Sequence, residues 1–179
     1  YEVLNNLPGI YVSKYGGYEG IATLSLRGAG TRHTLVMQDS IPLNSIMTGG
    51  ADLTEADMTG MGRIEVIGSG MSSVYGAGAQ AGVVNILSGP EEKRIVTAGV
   101  SYGSYGVQKH FVGSNYSVFN INYSLYASEE KGDGFLPNSG FFKRKISGRA
   151  DFGKRSFKTE IAGRYFKRKM GNPYGSSDD

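Results

Sequence analysis

Apolar and polar side chains alternate along most of the second half of this chain. Across residues 95–103, Val96, Ala98, Val100 and Tyr102 share one side, with Thr97, Gly99, Ser101 and Gly103 on the other. Across residues 117–128, Phe119, Ile121, Tyr123 and Leu125 oppose Asn120, Asn122, Ser124 and Tyr126. Across residues 143–152, Lys143, Lys145, Ser147, Arg149 and Asp151 oppose Phe142, Ile146, Gly148, Ala150 and Phe152, with Arg144 the exception near a strand end. In residues 156–166, Lys158, Glu160 and Arg164 oppose Phe157, Ile161, Gly163 and Tyr165. A period of two predicts strands with one apolar face, four of them here. That face suits a second sheet in a soluble sandwich or lipid around a barrel, and periodicity alone leaves both open. Residues 104–106 and 153–155 read as short turns and 129–141 as a long polar connection. Barrels in outer membranes are built with short turns on one side and long loops on the other.

The first half has a different grammar. Val3, Leu4 and Leu7 are spaced for one face of a short helix that Pro8-Gly9 stops. Ile10-Tyr11-Val12 reads as a short strand, and residues 14–20 as a glycine-rich loop. Ala22, Leu24 and Leu26 alternate with Thr23, Ser25 and Arg27, and residues 34–38 form another strand. Residues 44–51 read as an exposed loop and residues 52–58 as a single helical turn.

Residues 61–88 are the stretch around which the chain is organised. Arg63 to Ile67 reads as a strand with charge on one face, Gly68-Ser69-Gly70 ends it, and residues 71–75 suit a short helical turn. Gly76, Gly78 and Gly82 surround Ala77, Ala79 and Ala81 before a second strand, Val83 to Leu87. So much glycine implies close backbone approach or positive φ. A phosphate cradle fails, because the third glycine of the dinucleotide fingerprint and the Lys-Ser/Thr pair of a nucleotide loop are both absent. From composition alone the stretch is a tight crossover buried between two strands.

Its motifs carry more. Gly62-Arg63-Ile64-Glu65-Val66, Ser72-Ser73-Val74-Tyr75-Gly76 and Ala81-Gly82-Val83-Val84-Asn85-Ile86 resemble the second half of the plug domain of TonB-dependent outer-membrane receptors. Upstream, residues 2–12 resemble that family's opening helix and strand. Leu24-Ser25-Leu26-Arg27-Gly28 with Thr34 to Asn44 resembles its central pair of strands. The blocks cover roughly residues 1–88 in the right order. Asp39-Ser40 stands where the family usually has Asp-Gly, and Gly68-Ser69-Gly70 replaces its Arg-Gly-Pro, which leaves turn details open.

The resemblance implies an α+β plug domain, residues 1–92 with its N-terminal part missing, followed from 93–179 by the first four strands of an incomplete antiparallel transmembrane β-barrel. Four strands cannot close around a plug without leaving unpaired backbone in hydrocarbon, so the remaining strands are expected outside this chain. It implies a receptor in the cell outer membrane that is no enzyme. Such a receptor binds a scarce external ligand and imports it when TonB, driven by its inner-membrane energising complex, moves the plug. A relative used mainly for signalling or adhesion is the alternative. Residues 31–36, 42–44 and 49–53 are similar to the vitamin B12 receptors within the family, pointing to cobalamin, with a ferric siderophore or haem as the other ligand reading. Ligand contact is expected at Tyr18, Glu19 and Ile21 on one loop and Met47, Thr48 and Gly49 on another. Arg27, Arg63 and Glu65 are expected in the polar contacts between plug and barrel wall.

Composition and charge narrow the chemistry. Without cysteine there is neither a disulfide nor a thiolate metal site. His33 and His110 are too few for a histidine cluster, and His33 reads as a loop residue, with a ligand contact the alternative. Asp39 has no acid, base or nucleophile at a useful spacing and reads as a turn or pairing carboxylate. No cofactor is required, although Asp178-Asp179 could continue into a calcium-binding external loop. Residues 1–92 hold four Lys/Arg against nine Asp/Glu, and residues 93–179 fifteen against seven. The basic half lies in strand-like alternation with no helix or fingerprint to read a groove, so nucleic acid is not expected as a partner. Lipid is.

Overall fold

A computed structural model describes residues 2–16, 20–89, 95–118, 121–154 and 157–173. The chain divides into two compact units, Tyr1–Glu91 and Glu92–Asp179.

In the first unit a helical turn, α1 (Glu2–Asn5), leads into an antiparallel hairpin of β1 (Ile10–Lys14) and β2 (Ala22–Leu26). Asn5 ties the two together, its side-chain oxygen accepting from the Val12 amide at 2.8 Å. A second sheet holds β3 (Thr34–Gln38), β4 (Ile41–Pro42), β5 (Met61–Ile67) and β6 (Gly82–Ser88) in the order β4-β3-β6-β5. β3 and β6 run parallel at its centre.

All five residues of β3 are buried because the sheet is covered on both faces. Val36, Val84 and Ile86 pack with Leu4, Ala22, Leu24, Leu26 and the turn at Leu53. Leu35, Met37 and Val83 pack on the other side with Ala79, Ile67 and Met71. The alternation in β2 therefore reads true: Ala22, Leu24 and Leu26 are buried, and each leucine contributes about 1.5–3 kcal/mol.

Two expectations for this unit need correction. β2 and β3 are not a pair in one sheet, because β2 is taken by β1. The connection from the edge strand β5, which bears Arg63 and Glu65, to β6 includes α2 (Ser72–Tyr75) and is mostly exposed rather than buried. Only Ala79 is buried there, as its anchor to the core. The glycine requirement is real at Gly82, whose φ is 143° and where a Cβ would collide with the Ile67 carbonyl oxygen.

The second unit is an antiparallel meander of β7 (Ile95–Tyr102), β8 (Gln108–Val118), β9 (Ile121–Gly132), β10 (Phe141–Lys154) and β11 (Phe157–Met170). Among the described residues this makes five strands, not the four expected. β8 carries no one-sided alternation, because each of its faces mixes polar and apolar residues: His110 and Ser114 flank Val112, and Lys109 and Asn115 flank Phe111 and Gly113. The register also pairs Val118 with Ile121, so residues 117–128 belong to two strands rather than one.

Strand parity then moves the turn at residues 104–106 to the same end as the long connection. The Asp133 amide donates to the Tyr105 carbonyl at 2.9 Å, and the Tyr105 and Phe135 rings meet edge-on at 6.2 Å. The Gly171 amide donates to Gly140 at that end as well.

Candidate functional site

The loop of residues 44–51 is held by one side chain. Asn44 accepts from the Val36 amide at 2.8 Å and donates to the carbonyls of Thr34 and Gly49 at 3.0 and 2.8 Å. A bridge between Asn44 and Ala51 closes the base, and Ser45 caps the inside, its hydroxyl accepting from the amides of Met47 and Thr48. Gly49, at φ 74°, completes the turn and leaves room for the stem of Arg32 across it. On this fixed frame Ile46 and Met47 stand out with relative exposures of 104% and 96%. Such apolar exposure on an ordered loop is a feature of binding surfaces.

Ile21 belongs to the same end of the unit. The Tyr15 amide donates to its carbonyl at 2.9 Å, and the next amide, of Ala22, donates to the Asp52 carboxylate at 3.2 Å. Asp52 directly follows the loop of residues 44–51 and also accepts from the Thr54 amide and hydroxyl. The structure thus links Ile21 to the loop bearing Met47, Thr48 and Gly49. Tyr18 and Glu19 lie outside the described residues. Ile46 and Arg32 were missed as site candidates; the signal for Ile46 was its place beside Met47 in a run of small and polar residues.

The charged candidates sit elsewhere. Arg63 and Glu65 pair with each other at 2.9 Å on β5, with side chains 62% and 48% exposed. Arg27 takes a positive φ of 52°, its amide donates to the Gly9 carbonyl, and its guanidinium lies against Gly68. Asp39 is buried and bound to Ser88, in keeping with a turn carboxylate. His33 ends an exposed 3₁₀ turn, and its carbonyl accepts from the Ala81 amide.

In the second unit the register puts Val96, Val100, Ile121, Ile146 and Ile161 on one face, all exposed. Phe119 lies outside the described residues. The opposite face carries Asn115, Ser128, Lys143 and Ser147, all buried, together with an Arg149–Asp151–Glu160 cluster at 3.2 Å. Apolar outside and polar inside is the reverse of a soluble sheet and the pattern of a membrane barrel wall. No described helix is long and apolar enough to cross a membrane, which says nothing of strands. Asp178 and Asp179 lie outside the described residues.

A small α+β domain followed in sequence by a barrel-type sheet defines the class: a plug domain with part of its barrel. Residues 1–83 match the TonB-dependent Receptor Plug Domain family. The vitamin B12 transporter BtuB of Vibrio vulnificus is 33% identical over 141 residues, 76% of this chain and 23% of that protein. The vitamin B12 transporter BtuB of Photobacterium profundum is 36% identical over 108 residues, 58% of this chain and 18% of that protein. Among solved structures, the pyoverdine outer membrane receptor FpvA of Pseudomonas aeruginosa PAO1, bound to pyoverdine, superposes with a TM-score of 0.69 at 18% identity. That match covers 93% of this chain and 25% of that one. The chain belongs to the TonB-dependent receptors, which are outer-membrane proteins and not enzymes. It spans about a quarter or less of the length of these relatives.

Proposed function

We propose that the receptor carrying this chain binds cobalamin outside the cell and imports it by TonB-coupled movement of the plug. The observation that carries this reading is the 33% identity to a vitamin B12 transporter over 76% of the chain. In this reading residues 1–92 are the plug and residues 93–179 the start of the barrel. The loop with Met47, Thr48 and Gly49 and the loop with Tyr18, Glu19 and Ile21 meet the ligand first. Met47 and Tyr18 give adaptable apolar contact, while Thr48 and Glu19 hydrogen-bond to peripheral amides. Because Asn44 already fixes the first loop, little entropy is lost there on binding. Arg27, Arg63 and Glu65 contribute polar contacts that seat the plug. Ligand and TonB act by differential affinity for plug states, so neither requires chemistry in the receptor.

A ferric siderophore is the second reading, favoured by the likeness in fold to the pyoverdine receptor. Calorimetry on the purified full-length receptor separates the two. Saturable binding of cyanocobalamin that ferric siderophores and haemin fail to displace is the expected result. Binding of a ferric siderophore or haemin without cobalamin binding would overturn the proposal.

A further inference from the structure

On the apolar face of the second sheet, charged residues gather at the end that carries the longer connections. Following the cross-strand register, the four successive rows marked on β9 by Ala127, Leu125, Tyr123 and Ile121 hold no charged side chain among the described residues. They cover about 20 Å along the strands at ~3.4 Å per residue, or roughly 15 Å of height at a barrel strand's tilt of about 35–45°, which fits inside an outer-membrane apolar band of about 25 Å. The next two rows, at the end of the longer connections, are different. Glu129, Arg144 and Lys167 lie side by side across β9, β10 and β11, and Lys131 and Lys169 flank Phe142 one row further out. All four cations are exposed. They share a patch about 10 Å wide, given a strand spacing of ~4.8 Å. Among the described residues of these two rows the one carboxylate is Glu129, which pairs with Arg144 at 2.7 Å, and His110 stands opposite Glu129. The Arg144 guanidinium lies 5.5 Å from the centre of the Phe142 ring. Four positive charges against one negative leave a surplus that surface pairing does not cancel.

Next to this row the sheet has a groove of about 720 Å³ lined by Ala98, Val112, Ala127 and Ile146, with His110, Glu129 and Arg144 at its rim. Small side chains in the first row of the apolar band thus leave a channel that ends at a guanidinium. A soluble anion would use the cations but not the channel, and a bare hydrocarbon the channel but not the cations. A lipid with an anionic headgroup uses both.

We propose that this end of the sheet binds the phosphate of an anionic membrane lipid, with Arg144, Lys167 and Lys169 on the headgroup and one acyl chain in the groove. The inference rests on reading the sheet as barrel wall. Glu129 holds the Arg144 guanidinium at the rim, and Phe142 marks the interface, where aromatic rings collect.

The test is native mass spectrometry of the full-length receptor after equilibration with phosphatidylglycerol and phosphatidylcholine. Wild type is expected to retain phosphatidylglycerol in preference by about tenfold or more, since each cation near a membrane surface is worth roughly fivefold. Arg144→Gln with Lys167→Gln and Lys169→Gln should bring the two lipids near parity, whereas Lys158→Gln, on the opposite face, should leave the preference intact. Ile146→Trp, which fills the groove and keeps every cation, should lower retention of both lipids. Equal retention by wild type, or a preference unchanged in the triple variant, would overturn the headgroup site. A nitroxide at Val112 in bilayers separates the two readings. A label accessible to water removes the barrel reading and this site with it, while a lipid-shielded label without headgroup preference removes the site alone.

Discussion

The Asp39 carboxylate takes two hydrogen bonds from Ser88, one from the backbone N–H at 2.8 Å and one from the hydroxyl at 2.6 Å. This pair joins the tip of the β3–β4 hairpin to the end of β6, and Asp39 is buried there. Charge-assisted bonds of this kind are the stronger ones, and removing the acceptor strands a donor. Asp39→Ala is expected to lower the local opening free energy by about 3 kcal/mol. Hydrogen exchange of the segment around Ser88 in the full-length receptor should then quicken by about a hundredfold. Asp39→Asn, which keeps one acceptor, should fall between.

The same hairpin turns through Asp39 and Ser40 with φ of 48° and 65°, both left-handed. Two-residue turns of this kind favour Asn-Gly or Asp-Gly, because a side chain at the second position is strained. Ser40 is exposed, and its amide bond to Asn85 at 3.3 Å does not need the hydroxyl. Ser40→Gly is expected to gain about 0.5–1 kcal/mol, the relief exceeding the added chain entropy of glycine. Slower exchange of residues 36–42 would register the gain, and faster exchange would contradict it.

Gly82 and Gly78 make a controlled comparison. A methyl at Gly82 would strike the Ile67 carbonyl oxygen and come within 2.9 Å of Leu26 Cδ1, at a φ of 143°. At Gly78 a Cβ meets nothing within 4 Å. Gly82→Ala is expected to cost about 3 kcal/mol or more, on the order of an overpacked and strained core site. Gly78→Ala should change stability by less than about 0.5 kcal/mol. Limited proteolysis of the plug segment in the receptor would distinguish them, with a protease-sensitive band expected for Gly82→Ala only.

The Arg63–Glu65 pair tests the seating of the plug. Both side chains are well exposed within their own unit, and an exposed pair is worth about 0–1 kcal/mol. Replacing both with alanine is therefore expected to leave the folded plug within about 1 kcal/mol of wild type. If these charges seat the plug, passive permeability in liposomes rises and cobalamin uptake falls. Unchanged permeability and uptake would make them ordinary surface charges.

Alternation made the apolar face of the second unit legible. Val96, Ile121, Ile146 and Ile161 reach one face because a strict period of two survives in β7, β9, β10 and β11. It failed at β8, where His110 and Ser114 share the face of Val112, so a paired strand between two others carries no local signature. Arg144, the exception in its segment, fits once the charged end row is seen across strands. In the first unit, glycine spacing and motifs located the crossover and its loops. The parallel pairing of β3 with β6 and the bond from Ser88 to Asp39 span too much sequence for any local pattern to encode. Asn44 is the same case: its three partners became visible only when the loop and β3 were placed together.

That residue separates contact from preorganisation in the ligand loop. Met47 is 96% exposed and, under the proposed function, acts by touching ligand, whereas Asn44 holds the loop's shape. Met47→Ala with Tyr18→Ala is expected to weaken cyanocobalamin binding through lost contact, by about tenfold for ~1.4 kcal/mol. Asn44→Ala removes no surface that a ligand meets. It leaves the Val36 amide without its partner and frees residues 45–49, so binding must then order the loop again at a cost of about 0.5–1.5 kcal/mol per immobilised side chain. Its expected signature in calorimetry is a similar loss of affinity carried by a less favourable entropy, with normal amounts of receptor in the outer membrane. Should both variants bind cyanocobalamin as tightly as wild type, this loop is not the ligand's first contact. The cobalamin assignment would then rest on sequence similarity alone.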